Sequence, residues 1–167
     1  MDNDNQNLKE NEHSHATGLV HVILSHAYFV FLFAVILGVI FDQMIHFNLF
    51  NQPIYQYIGI FMIMIGSIAI YWAQATTRYS NTEAKKERDL DFFLRGPYKY
   101  TRNPTNLGLT LMSLGLGLLI NSLFSIIFII ITHFIAKLVF VKKQENILKE
   151  RYGSVYEEYH RKVKDWL

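Results

Sequence analysis

The chain has 167 residues, of which 51% are hydrophobic and 18% charged, with a formal net charge of +2; that length fits one compact domain. So small a charge, on basic residues that lie close to acidic ones, argues against a nucleic-acid surface. Without cysteine the chain can form no disulfide, no zinc finger and no cysteine nucleophile.

Residues 1–16 are polar and acidic, lack the basic n-region and short h-region of a secretory signal, and read as a disordered tail. Residues 17–41 then hold no Asp, Glu, Lys or Arg. That run exceeds the roughly 20 residues needed to cross a hydrocarbon core and predicts a first span. Asp42 follows it at the outer interface, where a charge costs little. A second uncharged run covers residues 54–77 and places Tyr55, Tyr57, Tyr71 and Trp72 towards its ends, at the level of the headgroups. A charged loop, 78–104, comes next.

Residues 107–141 contain one charge, Lys137. As one straight helix they would measure roughly 52 Å, more than a single span uses. Asn121 and Ser122 are the natural place for a hairpin. They divide the run into a third helix containing Gly108, Gly115 and Gly117 and a fourth from residue 123 to 141. Small residues allow membrane helices to approach closely, and packing is the preferred role for Gly115 and Gly117. Lys and Arg are absent from residues 10–77 and 103–136 but cluster in the loop (Arg78, Lys85, Lys86, Arg88, Arg95, Lys99, Arg102) and after the last span (Lys142, Lys143, Lys149, Arg151, Arg161, Lys162, Lys164). By the positive-inside rule both clusters are cytoplasmic, and so is the amino terminus. The chain is therefore expected to be an all-α, multi-pass integral membrane protein with about four transmembrane helices in residues 17–142. A carboxy-terminal cytoplasmic segment, 143–167, completes it. In that segment Leu148, Tyr152, Val155, Tyr159, Val163 and Trp166 recur at steps of three or four and give one apolar helical face, interrupted or kinked at Gly153. It lies on the bilayer or against the other cytoplasmic loop.

The loop entering the third helix reads Arg95-Gly-Pro-Tyr-Lys-Tyr-Thr-Arg-Asn-Pro-Thr-Asn-Leu-Gly108. Pro97 and Pro104 each fix φ and remove a donor, so the segment is a shaped loop. The tyrosines and cations between them form either an aromatic, cationic ligand pocket or an interfacial belt of the same composition.

This loop, together with Gln144, Glu145, Leu148, Tyr152, Gly153, Tyr156, Tyr159 and Val163, resembles the paired motifs of the isoprenylcysteine carboxyl methyltransferase and phospholipid N-methyltransferase superfamily of membrane enzymes. The resemblance covers roughly residues 54–167, with both motifs in the right order and spacing. It implies S-adenosylmethionine as methyl donor and a lipid or lipophilic small-molecule acceptor arriving from the bilayer. Carried over position by position, it implies donor contacts at Leu90, Asp91, Phe92, Phe93, Tyr98, Asn103, Pro104, Thr105, Asn106 and Gln144. Asn106 stands where the family has an aromatic residue, and Gln144 replaces the first carboxylate of a Glu-Glu pair. These departures leave a second reading, a non-catalytic membrane protein that keeps the methyltransferase fold. Methyl transfer needs alignment and a dry site more than a covalent nucleophile, and no catalytic residue is assigned; Lys137, Glu145 and Arg102 are the candidates.

No metal site is expected, because His13, His15, His21 and His26 lack ligand spacing and carboxylate companions. Lys137, inside a span, either faces a cavity or snorkels to the cytoplasmic interface. On an ideal helix His133, Lys137 and Gln144 fall within roughly 40° of one another. That stripe is expected to face the protein interior and line the acceptor's route, with Lys137 holding the head and Gln144 touching the donor.

Overall fold

The computed structural model describes residues 25–45, 53–82 and 90–164. The predicted tail, the outer loop around Asn51, residues 83–89 and Trp166 lie outside the described residues. In order, the elements are α1 (Ser25–Ile45), α2 (Ile54–Thr82), a single turn α3 (Leu90–Phe93), a 3₁₀ turn (Gly96–Lys99), α4 (Pro104–Leu119), α5 (Leu123–Ala136), a π turn (Lys137–Val141) and α6 (Lys142–Lys162). No strand occurs among the described residues. Three helices are long and apolar enough to cross a membrane: α1, α2, and α5 with its continuation. Helix α4 is apolar but has 16 residues, about 24 Å at 1.5 Å per residue.

The distribution of side chains explains why this fold belongs in lipid. Phe29, Phe33, Phe61, Met64, Ile68, Ile131 and Phe134 point outwards, whereas Ala27, Ala34, Ala73, Ala136 and Ser125 are buried. In water so large an exposed apolar surface would drive aggregation; against acyl chains it costs nothing. Small residues inside permit the close contacts that hold membrane helices together.

Close approach is tightest between α2 and α4, which run antiparallel through reciprocal glycine pairs. A Cβ on Gly66 would come 2.6 Å from the Gly108 carbonyl oxygen, and one on Gly59 would come 2.6 Å from that of Gly115. The contacts are to backbone, which cannot move aside. Gly108 and Gly115 are thus packing residues. Beside them Phe31, Val35, Leu109, Ile129 and Ala136 form the apolar core. One polar pair crosses it, Thr110 Oγ1 to His133 Nδ1 at 2.8 Å.

The hairpin forms where the sequence predicts it. Asn121 adopts φ +55, a conformation that asparagine tolerates better than other side chains. Its N–H bonds to the Leu118 carbonyl and that of Ser122 to the Gly117 carbonyl, a Schellman ending for α4. Ser122 then caps α5 by accepting from Ser125 N–H at 3.1 Å. Asp42, at the end of α1, accepts from the Ser122 hydroxyl and from Phe124 N–H. It places a carboxylate at a helix amino terminus, where the partial positive charge favours it.

The fourth helix differs from expectation at its end. Instead of stopping near Val141, α5 continues through the π turn into α6. The charged carboxy-terminal segment therefore starts as a continuation of the last span and, as one of the two expected placements had it, packs against the preceding loop through Leu90, Phe93 and Leu94. Gly153 breaks it with φ +52 and ψ −128, a geometry that only glycine adopts without strain.

Candidate functional site

The loop ahead of α4 is pinned from several sides. Pro97 is buried. The Tyr98 hydroxyl lies 3.0 Å from Thr77 Oγ1 on α2. Burial pushes this phenol up from its ordinary range, against the pull of hydrogen bonds from Thr77 and Thr105. Thr101 is buried, and its hydroxyl accepts from Asn103 N–H at 3.3 Å. Asn103 precedes α4 but does not cap it with its side chain; its buried Nδ2 makes no hydrogen bond.

The second half of the site comes from α6. Phe93 stacks on Tyr159 at 5.3 Å and meets Tyr152 edge-on at 5.1 Å. Leu90, Leu94, Leu148 and Val163 pack around these rings. Tyr159 closes the connection by donating from its hydroxyl to the Tyr98 carbonyl at 2.9 Å. Burial raises its pKa beyond the usual tyrosine range, so this donor keeps its proton.

Between the two halves, Arg102 Nη1 lies 2.9 Å from Glu145 Oε1. The side chains are only 11% and 19% exposed. Distance alone makes this an ion pair. The two atoms are poorly aligned for a hydrogen bond, and Arg102 Nε, Arg102 Nη1 and Glu145 Oε1 are all buried without one. A buried polar atom with no partner costs about 1–3 kcal/mol, which a polar ligand at Arg102 Nε would offset. His160 stands on the other side of the carboxylate, Nε2 to Oε2 at 3.9 Å.

These groups open onto a cavity of about 480 Å³, lined by Arg102, Lys137, Leu138, Val141, Lys142, Glu145, His160, Val163 and Lys164. Its walls combine cations with aliphatic side chains, and Leu138 also faces outwards from the last span. The π turn explains which residues of α6 take part. A π turn spends one more residue than an α turn. The residue returning to the Lys137 face two turns later is therefore Glu145 rather than Gln144. Past Gly153 the chain turns so that Lys149 pairs with Glu157 at 2.9 Å and His160, Val163 and Lys164 come back to the cavity.

The structure thus brings Arg102, on the loop, together with Lys137 and Glu145, which belong to the continuous helical run from α5 to α6. Of the residues expected to touch a donor, Asn103 and Pro104 directly follow Arg102. Thr105 sits beside Tyr98, and the Asn106 carbonyl accepts from Thr110. Leu90 and Phe93 turn into the aromatic cluster, Asp91 is exposed, and the Phe92 side chain lies outside the described residues. Gln144 is half-buried and does not line the cavity. His133 is buried against Thr110. Sequence reasoning missed His160, whose return depends on the conformation of Gly153 and leaves no trace in spacing.

A family model, phospholipid methyltransferase, matches residues 54–155. The chain belongs to this family. No curated protein and no solved structure matches it. The family is one of membrane methyltransferases, within the superfamily that the paired motifs resemble. The matched stretch runs from α2 to just beyond Gly153 and contains Arg102, Lys137 and Glu145. Helix α1 and the returning residues His160, Val163 and Lys164 lie beyond it.

The residues present fit a donor with an amino-acid end. Arg102 and Asn103 offer buried N–H groups to a carboxylate, and Glu145 offers a buried oxygen to an ammonium. Those are the groups at the amino-acid end of S-adenosylmethionine.

Proposed function

We propose that the protein transfers a methyl group from S-adenosylmethionine to a lipophilic or lipid-like acceptor at the cytoplasmic face of a membrane. The observation that carries this reading is the Arg102–Glu145 pair, buried and incompletely hydrogen-bonded at the edge of a cavity that Leu138, Val141 and Val163 line beside the cations. When bound, the donor supplies an electrophilic methyl carbon, whose bond to sulfur breaks with both electrons going to sulfur as the acceptor bonds to it.

The chain's own residues do the rest. Arg102, Asn103 and Glu145 orient the donor's amino-acid end. Further donor contacts come from the surrounding loop, Tyr98 and Pro104 to Asn106. Lys137 holds the polar or anionic head of the acceptor, while Leu138 and Val141 offer its tail an apolar wall. Excluding water and fixing orientation supply most of the acceleration such a displacement requires. In this reading α4 is a short fourth span, paired with α2 through glycines. Both termini are placed in the cytoplasm in this reading, which the distribution of Lys and Arg supports.

Calorimetry on detergent-purified protein tests the donor site. S-adenosylmethionine and its demethylated product should both bind. Absence of binding at millimolar concentrations removes the reading. Binding without transfer to any extracted lipid favours the non-catalytic alternative raised by Gln144 and Asn106.

A further inference from the structure

We propose that α1 supplies a donor-binding residue, Tyr28, whose hydroxyl meets the nucleoside end of the methyl donor. The inference rests on the methyltransferase reading and extends its site to a helix outside the stretch matched by the family.

Tyr28 lies near the start of α1, and its ring packs on the apolar core that α1, α4 and α5 share. The hydroxyl is buried beside the Gln74 side chain of α2 and the Tyr98 phenol of the loop ahead of α4. Neither neighbour is aligned to bond with it, and it has no hydrogen-bond partner among the described residues. Tyr98 is already engaged, with Thr77 Oγ1 at 3.0 Å from its hydroxyl and Thr105 as a second partner. It is therefore held in place and does not turn to Tyr28.

From Tyr98 the polar groups continue to the pair described above. The Tyr98 carbonyl accepts from Tyr159, and the Tyr159 hydroxyl lies within electrostatic reach of Arg102 and Glu145. Along this path Tyr28 Oη, Arg102 Nε and Asn103 Nδ2 are all buried without a hydrogen bond. Folded proteins leave few such atoms. Three of them gathered around one loop are what an extended polar ligand would satisfy together.

The chemistry of the three atoms assigns them to different parts of that ligand. Arg102 and Asn103 present N–H groups, which suit the carboxylate at the donor's amino-acid end. A phenol is neutral at pH 7 and both donates and accepts. The donor's remaining hydrogen-bonding groups are of the same neutral kind, ribose hydroxyls and adenine nitrogens, whereas its sulfonium forms no such bond. Tyr28 thus fits the nucleoside, on the α1 and α2 side of the loop, while Arg102 and Glu145 hold the other end.

The test compares detergent-purified wild type with Tyr28→Phe, which removes the hydroxyl and keeps the ring. Without ligand the two proteins should unfold at the same temperature, because the hydroxyl makes no bond within the fold. By calorimetry the dissociation constant for the demethylated product should rise about 2- to 10-fold in the variant, the range for one neutral hydrogen bond. Methylthioadenosine keeps the nucleoside and lacks the amino-acid end, so its dissociation constant should rise by the same factor. Three results would each overturn the inference while leaving the methyltransferase reading intact. The first is an unchanged constant for the product, as expected if water fills the gap beside Tyr28. The second is a lower unfolding temperature for the unliganded variant, and the third is equal behaviour of both proteins towards methylthioadenosine. Failure of the wild type to bind product overturns the reading beneath, and the inference with it.

Discussion

Lys137 and Tyr159 lie where the spanning helices of the molecule meet the part beyond them. Lys137 sits at the start of the π turn and lines the cavity. Lys137→Met keeps length and removes charge, so folding should survive while kcat/KM falls roughly 10- to 100-fold, the range for losing one charge-assisted hydrogen bond. Full activity on the acceptor would remove Lys137 from the acceptor's route. Tyr159 makes a prediction about pH. Its pKa is raised by burial, as is that of Tyr98, whereas an unfolded tyrosine ionises near 10. Below about pH 10 both states are protonated and the contribution is constant. Above that, the unfolded hydroxyls ionise first and stability falls. Thermal unfolding in detergent should therefore show an alkaline loss of stability that Tyr159→Phe reduces without abolishing, since Tyr98 remains. At neutral pH the same substitution should cost about 1 kcal/mol for the lost bond to the Tyr98 carbonyl. An identical alkaline slope in the variant would contradict this assignment.

Helix pairs are the scale at which the sequence was most informative. Gly66→Ala places a methyl group against the Gly108 carbonyl at 2.6 Å, so α2 and α4 must separate. The expected loss is about 1–3 kcal/mol. Gly117→Ala meets a side-chain carbon, Ile126 Cγ1, at 3.0 Å instead and should cost less, because a side chain can shift where a backbone carbonyl cannot and alanine has the higher helix propensity. Equal thermal midpoints for the two variants would contradict the glycine-pair packing. The hairpin at Asn121 and Ser122, the start of α5 at Leu123 and the kink at Gly153 were legible because each depends on local chemistry: a residue that tolerates positive φ, a hydroxyl cap, a missing Cβ. What stayed hidden depends on distant parts of the chain meeting. Asp42 looked like an interfacial charge and caps α5 across a helix pair. The π turn shifts the register by one residue, so Glu145 faces the cavity where an ideal helix would present Gln144. The Arg102–Glu145 pair joins positions 43 residues apart, by subtraction of their numbers, and no spacing rule anticipates it.

For the molecule as a whole, the proposed orientation in the bilayer rests on the distribution of Lys and Arg. The α4–α5 turn should face outwards and α6 inwards. Single cysteines can report this, since the chain has none. Ser122 is a poor reporter because it is buried in the cap. Ile120, which is exposed, and Ser154 on α6 are suitable. On intact cells an impermeant thiol reagent should label Ile120→Cys but not Ser154→Cys, and the opposite pattern would reverse the orientation. Methyl transfer at the inner face is tested most directly by incubating membranes that contain the protein with methyl-labelled S-adenosylmethionine and separating lipid, protein and small-molecule fractions. Label is expected in the lipid fraction, above membranes lacking the protein, and strongly reduced in Glu145→Gln. Label no higher than in control membranes in every fraction would contradict the proposed activity.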